Sequence, residues 1–345
     1  RARRFVRTAP RGHLQPFAAW REGVPVEVRN DVPQPREFYD SYSVSDNGAG
    51  RPLVLRGAAR HMPAMGWTDR HLIEAHAHAH ISDVELGLKE TRAGETVAGM
   101  SKLGTFLKYY NHTDMHLVSP IPRSLQREVE FLPNLRCGGF LDFLFTHKVW
   151  IARGGSRSVV HRDDAENINC LFAGKKRFAL VHPRWRKEME AHPNQEGPPD
   201  RFGFVDARLD PSMPGYGAYF GRLDVDAVDL LKFPGWSEVD WYRADLEAGD
   251  CLYIPQGWYH QVRAGPSRTV NTMVWYWRPE HFRGASCGDG GTGRVALRLS
   301  DCSFGYLPPG NEPKGERHHR GVRQRLTRCR PTGLHQNHRP TRLEL

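Results

Sequence analysis

From Val149 onward the chain is built of short apolar runs, each closed by glycine, proline or charge. They cover 149–151, 158–160, 168–172, 177–181, 251–254, 261–263 and 270–277. Runs this short suit strands, because a helix needs about ten or more residues of 3.6 period to bury a face. Many short strands separated by turn residues close as a sandwich or a barrel, so the predicted class is mainly β.

The region before the strands reads differently. The first 51 residues are rich in Pro, Arg and Asn without a clean period, and are expected to form an extended N-terminal arm. Pro52-Leu53-Val54-Leu55, ended by Gly57, predicts a buried strand, and helical spacing follows over 69–75 and 101–110. Residues 52–145 are therefore expected to be an α/β lead-in packed on a barrel at 146–282. Beyond Phe282 the pattern dissolves into Gly, Arg, Pro and His, which predicts a basic, disordered C-terminal tail over 283–345.

Charge sharpens the reading. The net charge of +10 suggests nucleic acid at first sight. Residues 1–13 hold five arginines and no acid, and residues 284–345 hold eleven Lys/Arg against five Asp/Glu. The remaining 33 basic and 34 acidic groups balance, so the expected folded body is neutral. No stretch approaches the roughly 18 apolar residues of a membrane span, and no membrane partner is expected. Six cysteines at 137, 170, 251, 287, 302 and 329 form no Cys-x-x-Cys pair. Their irregular placement predicts free thiols in a reducing compartment, cytoplasm or nucleus. One sequon, Asn111-His112-Thr113, would permit glycosylation if the chain were secreted. The chain does not begin with Met, which reads as a fragment or a processed form, and its arginine-rich start resembles the end of a transit peptide.

The chemistry concentrates in His161-Arg162-Asp163. Residues two apart on a strand point to one face, so an imidazole and a carboxylate can reach one metal ion. The second half lies 97 residues later, where Gly249-Asp250 leads into an apolar strand, then Pro255, Trp258 and His260. Two histidines and one carboxylate make the facial set that leaves three positions of Fe(II) open, as an oxygenase needs.

With these residues the chain resembles the JmjC-type 2-oxoglutarate oxygenases. It resembles most the small hydroxylase branch that includes the asparaginyl hydroxylase inhibiting hypoxia-inducible factor. Ser158, Asn167 and Lys176 stand three before, six after and fifteen after the metal histidine, as in the family. Val270-Asn271-Thr272 leading to Trp275-Tyr276-Trp277 matches the family's last core strand. The resemblance implies a double-stranded β-helix (a cupin/JmjC jelly-roll barrel) with flanking N-terminal helices. It implies Fe(II) on His161, Asp163 and His260, with 2-oxoglutarate and O2 as co-substrates. It gives the remote carboxylate of 2-oxoglutarate to Lys176 and Ser158, and amide contacts to Asn167 and Asn271, which could equally be structural caps. Only family register separates Lys176 from Lys175. Relatives often carry a Tyr where Met115-His116-Leu117 stands here, so His116, or else Tyr109 or Tyr110, is expected to take its place.

The implied reaction is hydroxylation of a C–H on a protein side chain, with succinate and CO2 as co-products. The expected partner is a protein or peptide substrate, with a homodimer allowed. Three rivals stand beside it. An RNA hydroxylase is suggested by the stretch 229–236, which resembles a segment of a tRNA wybutosine hydroxylase, but the neutral body opposes phosphate binding. A lysine demethylase would use the same chemistry, yet no zinc-binding or chromatin-reading segment flanks the barrel. A catalytically silent cupin scaffold is the third. His76, His78 and His80 alternate as a metal-binding strand face would, but read better as a frayed helix end. Gly288 to Gly293 fits Gly-x-Gly-x-x-Gly without the strand–helix context that motif requires.

Overall fold

The structure is a computed structural model. It describes residues 8–20, 22–86, 95–96, 100–191, 201–206, 219–287, 296–302 and 329. The early strands are β1 (Val24–Pro25), β2 (Glu27–Arg29), β3 (Leu53–Leu55), β4 (Val84–Leu86) and β5 (Glu95–Thr96). Next come β6 (Met115–Pro120), β7 (Leu144–Ala152), β8 (His161–Arg162), β9 (Glu166–Ala173) and β10 (Lys175–Val181). The last six are β11 (Phe204–Asp206), β12 (Tyr219–Gly221), β13 (Trp241–Glu247), β14 (Cys251–Ile254), β15 (Tyr259–Ala264) and β16 (Thr269–Tyr276). Helices are few: α1 (Pro35–Phe38), α2 (Asp69–His76), α3 (Leu103–Tyr109) and α4 (Arg186–Met189).

Two mixed sheets carry the molecule, in the mainly β, cupin-like arrangement expected. One runs β1-β13-β10-β15-β8-β12-β11 and the other β2-β3-β14-β9-β16-β7-β6-β4-β5. Consecutive strands switch sheets at glycine corners. Gly174 lies between β9 and β10 with φ +77°, and a Cβ there would meet Arg268 O at 2.3 Å. Gly249, at φ +98°, makes the same crossing between β13 and β14. A side chain at either position is strained in this left-handed backbone.

Alternation sorts the side chains into an inside and an outside. On β10, Phe178 and Leu180 point between the sheets and pack with Leu171, Leu246, Leu252 and Ile254, which plug one end of the barrel. Each such side chain contributes about 2–3 kcal/mol by leaving water. Ile168, Cys170 and Phe172 on β9 face the other way, into a larger core shared with α3 and with Trp67 and Leu72. Behind the site, Glu166 is fully buried and takes the Tyr253 hydroxyl and the Arg278 guanidinium. Burial pushes its carboxyl up, and Arg278 opposes that rise. Glu166→Gln keeps the volume and loses the charge; about 1–3 kcal/mol of stability should go with it, read from the urea midpoint.

Three expectations need correction. The N-terminal segment is extended in places but is no free arm: β1 adds in parallel to β13, β2 to β3, and Phe17 and Phe38 are buried. Edge strands of two and three residues are too short to show alternation. The tail also begins later than Phe282 suggested. Residues 296–302 return to the core through Phe131 N to Leu297 O and Leu299 N to Val129 O, with Leu297 and Leu299 buried. The expected disorder of 303–328 and 330–345, and the glycine motif at 288–293, lie outside the described residues. Finally, the cysteines are not free thiols: Cys137–Cys287, Cys170–Cys251 and Cys302–Cys329 are disulfides. Their spacing hid this because the pairing is made by tertiary register, Cys170 lying directly opposite Cys251.

Candidate metal centre

The open end of the barrel is a cavity of about 580 Å³. Strands β8 and β15 pair antiparallel with His161 opposite His260, so the two imidazoles enter side by side, their rings 4.3 Å apart. Asp163 follows on the same face just past β8. Its Oδ1 lies 4.0 Å from His161 Nε2 and its Oδ2 3.9 Å from His260 Nε2.

Backbone and side-chain partners orient all three groups. His161 Nδ1 donates to Val159 O at 3.0 Å and His260 Nδ1 to Trp258 O at 3.1 Å. That tautomer leaves each Nε2 lone pair facing the third ligand, the arrangement metal-binding histidines use. Burial, reinforced by His161, lowers His260 to about 4, so it presents a neutral imidazole. Asp163 Oδ2 accepts from Asn167 Nδ2 at 2.9 Å and Trp275 Nε1 at 2.8 Å, which fixes the carboxylate with Oδ1 toward His161 and Oδ2 toward His260. Two imidazoles and a carboxylate in one cavity fit Fe(II) with positions to spare. Removing one support should weaken the site without dismantling it. Asn167→Ala is expected to lower Fe(II) affinity about 10- to 100-fold with the thermal midpoint little changed, read by anaerobic titration.

Lys176 lies on the luminal face of β10, buried, in the same cavity. Its ammonium donates to Asn271 Oδ1, a neutral acceptor. Desolvation lowers it from its ordinary 10.5 to about 7. Lys175 points outward to Glu247 at 2.6 Å. A buried ammonium with no carboxylate beside it among the described residues is a place for an anion.

The other sequence-expected residues distribute as follows. Ser158 and Asn271 line the cavity, Ser158 Oγ accepting from Val262 N at 2.9 Å, so its own proton remains available to donate. Asn167 reaches the site through Asp163. His116 lines the cavity wall on β6, its Nε2 3.1 Å from Glu85 Oε2. The alternatives to His116 lie elsewhere: Tyr109 is exposed, and Tyr110 is buried against Phe106 with its hydroxyl on Asp69.

Sequence reasoning missed Trp275 as the second holder of Asp163. Counting by two from Asn271 along β16 reaches Met273 and Trp275, so the signal was present. It also missed the aromatic wall of Phe145, Trp150, Trp275 and Trp277, where Trp150 meets Trp275 at 5.7 Å and Phe145 meets Trp277 at 5.8 Å. Of the alternating histidines, His76 alone joins a cluster among the described residues, with His71 and Glu128. There Glu128 takes His76 Nε2 and Trp67 Nε1, each at 2.8 Å, a tie between α2 and 125–128.

A model of the cupin-like domain matches residues 46–283, a span that contains both halves of this centre. The chain belongs to the cupin-like, JmjC family. Among its relatives is Jumonji C domain-containing protein 5 of Drosophila melanogaster, 24% identical over 288 residues, covering 77% of this chain and 64% of that protein. The bifunctional peptidase and (3S)-lysyl hydroxylase JMJD7 of Homo sapiens is 26% identical over 136 residues, 37% of this chain and 40% of that one. The tRNA wybutosine-synthesizing protein 5 of Homo sapiens is 30% identical over 112 residues, 32% and 28%. The chain thus spans less than two thirds of these relatives, and the cupin-like barrel with its metal centre lies within the part the family model matches.

Proposed function

We propose that this cupin-like protein is an Fe(II)- and 2-oxoglutarate-dependent dioxygenase that hydroxylates a C–H of a protein side chain. The observation that carries the reading is the buried ammonium of Lys176, with no carboxylate beside it among the described residues, in the same cavity as His161, Asp163 and His260. A metal set alone would suit many cupins. A metal set with an enclosed cation suits a co-substrate that chelates through one end and carries a carboxylate at the other. Bound there, Fe(II) and 2-oxoglutarate would supply the oxidising chemistry, with succinate and CO2 as co-products.

The chain's own residues do the rest. Asn167 and Trp275 hold the Asp163 carboxyl toward the metal position, and the two backbone carbonyls hold the imidazole tautomers. Lys176, steadied by Asn271, with Ser158 nearby on the cavity wall, would take the remote carboxylate. The aromatic wall excludes water and offers a flat apolar face for an extended peptide. The neutral charge of residues 14–283 supports a protein over an RNA substrate, since phosphate binding draws on clustered Lys and Arg.

The reaction class is tested by anaerobic titration with Fe(II) and 2-oxoglutarate, watching for the visible charge-transfer band of the chelated complex. The substrate class is tested by 2-oxoglutarate turnover with peptide, methyl-lysine peptide and tRNA as stimulants. A band with peptide-stimulated turnover is the expected result. Stimulation by tRNA alone would transfer the reading to an RNA hydroxylase, loss of methyl groups to a demethylase, and absence of any band to a scaffold.

A further inference from the structure

We infer that this chain matures in an oxidising, glycosylating compartment, with its six cysteines held as three disulfides and Asn111 carrying an N-linked glycan. The inference is independent of the reaction and replaces the reducing compartment that cysteine spacing suggested.

The first observation is completeness. All six cysteines of the sequence are among the described residues, and none is free. The pairs lie 150, 81 and 27 residues apart, so neighbours in sequence do not account for them. In a cytosolic protein, buried cysteines act as small apolar side chains and have no reason to meet two by two. Even pairing of every cysteine across long separations is the pattern of a chain selected under oxidising conditions.

The second observation is where the bridges sit. Cys170–Cys251 joins directly opposed positions of β9 and β14, both buried. The other two secure segments that follow the barrel. Cys137–Cys287 fastens the short turn Gly284–Cys287 to the loop ahead of β7, where Gly138 N also donates to Ser286 Oγ at 2.8 Å. Cys302–Cys329 anchors the chain beyond the docked residues 296–302. In the chain-entropy account a bridge stabilises by constraining the unfolded chain, more so for a longer closed loop, and Cys137–Cys287 closes the longest of the three. With thiols instead, the turn at 284–287 would hang on a few hydrogen bonds.

The third observation is the sequon. Asn111 is exposed, in the single turn Tyr110–His112 after α3, and His112 beside it is exposed too. The position between Asn111 and Thr113 is not Pro, as the acceptor motif requires. Among the described residues Asn111 Nδ2 has one long contact, to Asp69 Oδ2 at 3.4 Å, so a glycan there displaces nothing from the core. A sequon alone is common by chance; one standing exposed on a chain whose cysteines are all paired is a usable acceptor.

The test is peptide mapping of the full-length protein isolated from its natural cells, with thiols blocked at lysis and no reduction before digestion. Three crosslinked peptide pairs are expected, with no blocking reagent on the six cysteines. The Asn111 peptide should appear glycosylated, and as aspartate after peptide-N-glycosidase treatment. Blocked cysteines in the natural protein would overturn the inference as a whole. Three disulfides beside an unmodified Asn111 would overturn the glycan assignment. As a second readout, reduction and alkylation of the natural protein should lower its urea midpoint, and an unchanged midpoint would show that the bridges hold nothing.

Discussion

Asp163→Ala should abolish specific Fe(II) binding and, with it, all 2-oxoglutarate turnover, while the protein stays folded. Losing a partner that merely supports a ligand costs about 10- to 100-fold in metal affinity, so losing the ligand itself should exceed roughly 100-fold. Asp163 supplies the sole negative charge among the three ligating groups, and both imidazoles lie near 4 Å from its oxygens. Without it, only the two imidazoles of the set face the metal position, and neither brings a negative charge to balance the cation. Folding should survive because the carboxylate is partly exposed to the cavity, so water entering the space it leaves can meet Trp275 Nε1 and the buried Asn167 Nδ2. The measurement is anaerobic isothermal titration with Fe(II), beside a thermal melt. Retained affinity within a few-fold of the parent would mean that the metal sits elsewhere, with the cluster at His71, His76 and Glu128 the next place to look.

Much of this centre could be read before any coordinates, and the reason is local. His161 and Asp163 are two apart, and period two puts both on one face of an extended chain. The same arithmetic distinguishes Lys176 from Lys175. Lys176, Phe178 and Leu180 form the alternating set whose apolar members belong inside, whereas Lys175 shares its face with Arg177, which pairs outside with Asp245. The choice had rested on family resemblance when the strand itself contained it. What could not be read depends on long-range register. No local pattern says that Cys170 will lie opposite Cys251, that β1 and β2 will join different sheets, or that residues 296–302 will return to Val129 and Phe131. His116 stands between. Its place on the cavity wall follows from strand alternation, but its approach to Glu85 depends on the pairing of β6 with β4.

Lys176→Met should move two quantities in opposite directions, which a merely structural lysine would not. For 2-oxoglutarate the expected change is a loss of roughly 100- to 1000-fold in affinity, because a buried carboxylate would be left without its cation, a loss of about 3–4 kcal/mol. For the ligand-free protein the expected change is a gain in stability. Burial lowers the Lys176 ammonium from 10.5 to about 7, and the unfolded chain restores the ordinary value. Below pH 7 both states are protonated and the folded state bears the full desolvation cost, at most roughly 4–5 kcal/mol. Between pH 7 and 10.5 the unfolded chain binds more protons than the folded one, so parent stability rises with pH across that window. The advantage of Lys176→Met should therefore be largest below pH 7 and vanish by about pH 10.5. Urea midpoints of the two proteins at pH 6, 8 and 10, with and without 2-oxoglutarate, read both effects at once. Saturating 2-oxoglutarate should stabilise the parent and leave Lys176→Met nearly unmoved. A variant that lost stability at pH 6 in the absence of ligand would show that Lys176 is already matched by an anion of the protein's own, and the co-substrate site would have to be sought elsewhere in the cavity.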